Sequence, residues 1–174
     1  DKDAWRAAVR PLHPDVLAAV KWGLGRPDPA PGRELAVAVA WLWHLEGDGP
    51  HGLRLLRRAA ELGGAERTAL QARVLAAEAL VADTAELAPT GYATAGAAVR
   101  LAEEVGDGAT ARLAGTIAAI GEIGRDVGAA RATALRLHAD AVDAGDAFVS
   151  DATDVLVGTI DVLRDQHAGA AGRL

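Results

Sequence analysis

The chain has 174 residues, of which 51% are hydrophobic and only 3% aromatic, and it carries a net charge of −6. Residues 88–174 hold 12 acidic but only 7 basic side chains, which argues against a direct nucleic-acid-binding face, since that needs the opposite sign. The lack of cysteine excludes disulfides and thiolate metal sites, and no apolar run approaches the roughly 18 residues of a membrane span. We expect a cytoplasmic protein that binds no membrane and no cofactor.

Prolines divide the first 32 residues into short pieces. Because proline is tolerated at a helix start but not in a helix interior, the pattern predicts helices near Asp3–Arg10 and Pro14–Trp22. A proline-rich connector, Gly25–Gly32, follows them. We therefore expect residues 1–32 to form an N-terminal helical cap ahead of a more regular part, residues 33–174.

From residue 33 onward, segments rich in Ala and Leu alternate with glycine-containing turns. Glycine just beyond a helix is a common C-terminal cap, and no segment alternates with period two, so the sequence predicts helices and no strands. The predicted helices are Arg33–Glu46, His51–Leu62, Glu66–Leu87, Thr90–Val105, Ala109–Ile123, Ala129–Ala144 and Phe148–Leu163. A further, truncated helix is expected to start near Ala168. Because the chain has no Met and opens Asp-Lys-Asp, we expect it to be a segment of a longer protein.

Small residues recur at a spacing of 39 in this part of the chain. One such column is Gly52, Gly91, Ala130 and Gly169, and a second is Ala40, Ala79, Ala118 and Val157. A small residue at a fixed site in each helix lets paired helices approach closely, and stacked pairs bury a continuous core. The sequence therefore predicts an α-solenoid of antiparallel helix pairs with tetratricopeptide-like organisation. Gly52, Gly91 and Ala130 are expected at the closest approach of paired helices.

Four stretches resemble a known family: AVKWGL at 19–24, ELAVAVAWLWHLEG at 34–47, GLRLLRRA at 52–59 and AARATALRLHADAVDAGD at 129–146. They look like the tetratricopeptide-like region of large bacterial ATPase transcription regulators, the LuxR-type regulators and related antibiotic-pathway activators. His51 and Leu55 depart from that pattern, which usually has Glu and Trp at these sites. The resemblance covers residues 16–174 and implies a sensor and scaffold arm, with the ATPase and DNA-binding parts elsewhere.

No catalytic motif stands out in the chain. The phosphate-binding pattern G-x-x-x-x-G-K-[ST] is absent, and the five histidines form no H-x-x-x-H or H-E-x-x-H pair. An acidic ladder flanks the Ala144–Gly145 turn and consists of Asp140, Asp143, Asp146, Asp151 and Asp154. Its spacing is not that of a calcium loop. This favours a solvated helix face over the alternative, a metal-dependent all-α enzyme.

Candidate contact residues come from the first helix of each predicted pair, because these helices usually line the concave face of a solenoid. Trp41 and Trp43 point to different faces, and we take Trp43 as the aromatic anchor, with core packing as the other interpretation. The polar candidates are His44, Arg73, Glu78, Arg112, Thr116 and Asp154. The sequence thus predicts a non-catalytic sensor or scaffold module of a larger bacterial transcription regulator. Its partner would be a protein, a peptide or a small-molecule effector, and self-association is a further alternative.

Overall fold

The computed structural model describes residues 10–46, 48–85 and 89–171. Helices account for 85% of the described part, which contains no strand, and this confirms the all-α class. The predicted helix Asp3–Arg10 lies outside these ranges except for Arg10, which opens a 3₁₀ turn, Arg10–Leu12. The α-helices are α1 (His13–Leu24), α2 (Ala30–Ala38), α3 (Ala40–Glu46), α4 (Gly49–Gly63), α5 (Ala69–Ala85), α6 (Pro89–Glu104), α7 (Gly108–Glu122), α8 (Val127–Asp143) and α9 (Ala147–Ala171).

Two helices end in the same hydrogen-bonded motif, 39 residues apart. Gly106 and Gly145 have φ of 74° and 67°, the left-handed conformation that glycine adopts without a Cβ penalty. Beyond each glycine an aspartate N–H reaches back into the last turn, from Asp107 to the Ala102 carbonyl and from Asp146 to the Ala141 carbonyl, at 2.8 Å in both. These contacts satisfy carbonyls that the helix end leaves free, which explains why the predicted turns are sharp.

The predicted helix Arg33–Glu46 is wrong in two respects. It begins at Ala30, inside the predicted proline-rich connector, because proline fits the first helical turn. It is also divided at Val39 into α2 and α3. The Val39 carbonyl accepts from Leu42 N–H at 3.0 Å and from Trp43 N–H at 3.4 Å, so this turn is tightened towards 3₁₀ geometry. Such a tight turn changes which residues of α3 face the rest of the protein.

The last predicted helix also needs correction. Instead of ending at Leu163 and restarting near Ala168, α9 runs without a break from Ala147 to Ala171. Residues 164–168 read Arg-Asp-Gln-His-Ala and contain neither glycine nor proline, so nothing in them stops a helix. Gly169, the last member of the first small-residue column, lies within this helix and not at the start of a new one.

The helices pack in neighbouring pairs, and alternate helices also touch. Each of α4 to α8 packs on the helix that follows it. In addition α3 contacts α5, α5 contacts α7, and α7 contacts α9, whereas no comparable contact joins α4 to α6 or α6 to α8 in the described chain. We call α3, α5, α7 and α9 the contact row. The helices between its members are splayed apart on the other side.

The core changes in character along the chain. Its first part, between α1 and α5, contains the largest buried side chains, among them Trp43, Leu53 and Leu56. Beyond α5 the buried clusters consist mainly of alanines, joined by a few large residues such as Ile117 and Ile160. Burial of apolar area per residue is therefore greatest in the N-terminal half.

Two glycines of the small-residue column lie at close helix–helix contacts, as predicted. A Cβ built on Gly52 would lie 2.5 Å from Cγ of Trp43, and one on Gly91 would lie 3.1 Å from the Ala82 Cβ. Trp43 and Ala82 are themselves 39 residues apart. Ala130, the next member, is fully buried beside Ala119.

A buried arginine joins α2 to α5. Arg33 is 2% exposed; its guanidinium donates to Glu66 at 2.8 Å and to the Gln71 side-chain carbonyl at 2.5 Å. The Gln71 amide in turn donates to the carbonyls of Ala60 (3.1 Å) and Gly64 (3.4 Å) at the end of α4. A buried charge is tolerated only when it is paired and hydrogen-bonded, so this network fixes the junction of three helices.

Candidate functional site

A pocket of about 160 Å³ lies where α2, α3, α5 and α7 meet. Its walls are mostly apolar and include Val37, Ala76, Leu80 and Leu113. Arg73 is the charged residue of the lining, and Thr110 adds a hydroxyl. An apolar cavity with a few polar groups is the common form of a small-ligand or side-chain pocket.

Trp41 forms one wall of this pocket and is partly exposed. Its ring meets His44 edge-on, with centroids 5.4 Å apart, and meets Phe148 of α9 edge-on at 5.3 Å. Nδ1 of His44 lies 3.0 Å from the Leu80 carbonyl oxygen, which holds the imidazole in place. Edge-to-face contacts of this kind add to the burial of the rings. Trp41 therefore connects the first and last helices of the contact row at the pocket.

The charged wall of the pocket belongs to a motif that occurs twice. Nε of Arg73 lies 2.7 Å from Oδ2 of Asp107, and Nε of Arg112 lies 3.1 Å from Oδ2 of Asp146. Both aspartates also accept a backbone N–H in the first turn of the helix they precede, Asp107 from Thr110 and Asp146 from Val149. Each arginine thus fastens its own helix to the N-terminus of the next helix in the contact row, where a carboxylate is favoured.

Asp107 gives this motif a pH dependence. Burial would raise its pKa, but the hydrogen bond from the Thr110 N–H, a hydrogen bond from Arg73 and the arginine charge lower the pKa below its ordinary 3.8. A carboxylate with a lowered folded-state pKa contributes stability above 3.8 that is lost as the pH falls through the folded-state pKa. We expect Asp107→Asn to lose less unfolding free energy than the wild type between about pH 7 and about pH 3.

Denaturant titrations at the two pH values measure this difference. Arg73→Gln is the matched variant, and its pH dependence should fall between those of the wild type and Asp107→Asn, because the Thr110 N–H still donates to Asp107 in it. Superimposable pH profiles of Asp107→Asn and the wild type would contradict the assignment.

The structure corrects the prediction for Trp43. Its side chain is fully buried in the N-terminal core, against Gly52, so it offers no surface to a partner. The other interpretation, core packing, is the one that the burial supports. Trp41 is the tryptophan that reaches the pocket, because the tightened turn at Val39 orients α3 with position 43 inward. Sequence reasoning recognised that the two rings must point apart but chose the wrong one.

The six polar candidates do not gather at one place. Two of them line cavities, Arg73 the pocket beside Trp41 and Arg112 a separate groove between α6 and α8, while His44 touches Trp41. Thr116 is buried and donates to the Arg112 carbonyl at 3.0 Å. Glu78 faces Arg57 at 3.7 Å, and Asp154 faces Nδ1 of His138 at 3.3 Å. Most of these side chains thus have partners within the protein.

The groove between α6 and α8 is the larger of these two cavities, with a volume of about 340 Å³. Its lining mixes both signs of charge, with Arg100 and Arg136 among the cations and Glu103 and Asp140 among the anions. It exists because α6 and α8 are splayed over α7, which lines its floor. With balanced charges and no buried aromatic wall, it favours no particular ligand chemistry.

The acidic ladder does not converge. Asp146 pairs with Arg112 and Asp154 faces His138, whereas Asp140, Asp143 and Asp151 lie exposed on two helices. Among the residues that the structure describes, no three His, Asp or Glu side chains are placed to hold a metal ion. The alternative of a metal-dependent enzyme therefore gains no geometric support from the ladder.

No helix within the described ranges combines the length and the apolar character that crossing a bilayer requires. In comparisons with protein-family models, with curated proteins and with solved structures, the chain matches none of them.

Proposed function

We propose that residues 33–174 form a tetratricopeptide-like solenoid with a 39-residue period, capped by residues 1–32. Three kinds of contact recur at that spacing and support the proposal. They are the glycine contacts of Gly52 and Gly91, the Arg–Asp pairs that begin at Arg73 and Arg112, and the helix ends at Gly106 and Gly145. Backbone, packing and charge follow one register, as stacked units of a repeat protein do.

The function that this geometry supports best is binding without catalysis. The carrying observation is the apolar pocket beside the partly exposed Trp41, on the row whose close helix contacts make it the concave side. Tryptophan at a pocket wall is a frequent anchor for a partner, since it buries a large area at a small entropic cost. The pocket would take one apolar side chain of a peptide or a small apolar effector.

The wider role rests on the resemblance of residues 16–174 to the arm of bacterial ATPase transcription regulators. In that setting the module is a cytoplasmic sensor or scaffold, and its occupant signals to domains outside this segment. The acidic excess of residues 88–174 fits a partner other than nucleic acid.

Filling the pocket with a charged side chain should remove binding. A random peptide display library is panned on the wild-type protein, and enriched peptides are titrated against Leu113→Arg and Leu135→Arg. Leu113 lines the pocket, whereas Leu135 is exposed on α8, which contributes no residue to the pocket. We expect affinity to fall by about tenfold or more in Leu113→Arg, because an apolar anchor loses its cavity, and to be unchanged in Leu135→Arg.

Helix content by circular dichroism checks that Leu113→Arg is folded, and Val37→Gln is the milder second variant of the same wall. Equal affinity of the enriched peptides for wild type, Leu113→Arg and Val37→Gln would place binding outside the pocket. A library that yields no binder would count against a binding module altogether.

A further inference from the structure

Helix α9 carries a line of exposed apolar side chains. Phe148, Val155 and Val162 follow one another at intervals of seven residues, and all three are more than half exposed. Between them lie Ala152 and Thr159, so the spacing along the line alternates between four and three. This is the spacing of a coiled-coil seam, which another helix can follow along its length. We call these five residues the α9 seam.

The equivalent site is covered earlier in the contact row. Val155 is 70% exposed, whereas Thr116 and Ala77, at 39 and 78 residues before it, are 7% and 6% exposed. The seam is thus the continuation of a face that the protein buries in α5 and α7. Val155 is also the most apolar of the three side chains, so leaving it in water is the least favourable case.

The charge beside the seam reverses at this end of the protein. Where α5 and α7 carry Arg73 and Arg112, the 39-residue register places Asp151. Asp151 is exposed and has no ion pair within the described chain. At about 100° per residue it lies about 60° to one side of the line from Phe148. Asp165, also exposed, lies on that same side. A helix on the seam would therefore run alongside carboxylates.

We infer that the α9 seam receives an amphipathic α-helix with an apolar stripe and basic flanks. The inference rests on the proposed binding function and names the partner class. The seam spans 14 residues from Phe148 to Val162, about 21 Å, so a partner helix of about four turns covers it. Its Phe148 end meets Trp41 at the pocket, which makes seam and pocket one continuous surface.

Charge decides between this partner and a second copy of the chain. Two copies paired along their seams would bring Asp151 and Asp165 of one close to the carboxylates of the other, in a protein whose net charge is already −6. Like charges facing across a helix pair disfavour it, whereas lysines at the flanking positions of a partner are attracted. The seam thus selects a basic helix over itself.

Two synthetic peptides test the inference directly. Both have about three heptads with leucine at every seam position, and they differ only in carrying lysine or glutamate at the flanks. Titration by fluorescence anisotropy at low ionic strength should give about tenfold tighter binding of the lysine peptide. The preference should shrink as salt is raised to about 0.5 M, because the flanking charges lie at the surface.

Variants locate the site. Val155→Gln should weaken the lysine peptide by about tenfold, whereas Trp22→Gln, a similarly exposed apolar residue on α1, should not change its affinity. Asp151→Lys combined with Asp165→Lys should abolish or invert the preference between the two peptides, with helix content unchanged in each variant.

The inference is overturned if both peptides bind equally, if neither binds, or if Val155→Gln binds as the wild type does. Sedimentation of the free protein covers the competing occupant: a dimer that Val155→Gln dissociates would assign the seam to a second copy. Library peptides that depend on Leu113 would still support the pocket in each of these outcomes, so the two proposals fail separately.

Discussion

Replacing Gln71 with leucine should destabilise the protein by about 3 kcal/mol, the typical cost of leaving one partner of a buried charged network unsatisfied. Gln71 supplies the 2.5 Å acceptor of the buried Arg33 guanidinium and donates to the Ala60 and Gly64 carbonyls. Leucine occupies a similar volume but offers neither group. Glu66, which is half exposed, remains as the other acceptor for Arg33. Urea unfolding followed by circular dichroism measures the loss.

The double variant Arg33→Leu with Gln71→Leu separates lost pairing from lost packing. Replacing a whole buried polar network by apolar groups is often nearly neutral, so the double variant should be more stable than Gln71→Leu alone. Arg58→Leu is the control, because its pair with Glu61 is exposed and should change stability by less than about 1 kcal/mol. A double variant that loses the sum of the two single effects would show that Arg33 and Gln71 act independently.

The same substitution, glycine to alanine, should have opposite effects at two helical sites. A Cβ at Gly52 would lie 2.5 Å from Cγ and Cδ2 of Trp43, and the fully buried indole has no open space into which to move. We expect Gly52→Ala to cost about 1–3 kcal/mol through overpacking. Gly158 on α9 has no neighbouring atom within 4 Å of such a Cβ. Gly158→Ala should therefore stabilise the protein by about 0.5–1 kcal/mol through helix propensity.

Thermal and denaturant unfolding of both variants tests the pair. If the cost at Gly52 comes from the indole, adding Trp43→Leu should make Gly52→Ala less harmful than it is in the wild-type background, a coupling that a double-mutant cycle isolates. Equal effects of alanine at Gly52 and Gly158 would show that the close approach to Trp43 carries no energetic weight.

Much of the fold could be predicted because it is written in local signals. Glycines at 106 and 145 end helices through their backbone freedom, and the small residues at 52 and 91 mark close contacts whatever surrounds them. The errors came where a signal is weak or missing. Val39 tightens its helix without glycine or proline, and the continuity of α9 depends on the absence of any breaker between Leu163 and Ala168.

The candidate site could be predicted only in part. Choosing the contact row and naming Arg73 followed from the repeat, but assigning Trp41 or Trp43 to the surface depends on a rotation of α3 that composition does not encode. The ion pairs were also missed, since Arg73 and Asp107 are 34 residues apart. Their recurrence as Arg112 and Asp146 in the same register was a usable signal, had charges been aligned as the small residues were.

The uneven core has a dynamic consequence. Local opening costs least where little apolar area is buried, and the clusters around α8 and α9 are built mainly of alanine, whereas Trp43, Leu53 and Leu56 consolidate the other end. Amide protons of α8 and α9 thus exchange with solvent through smaller fluctuations than those of α4 and α5. The protein has a stiff base and an adaptable tip, and the tip is the part that carries the α9 seam.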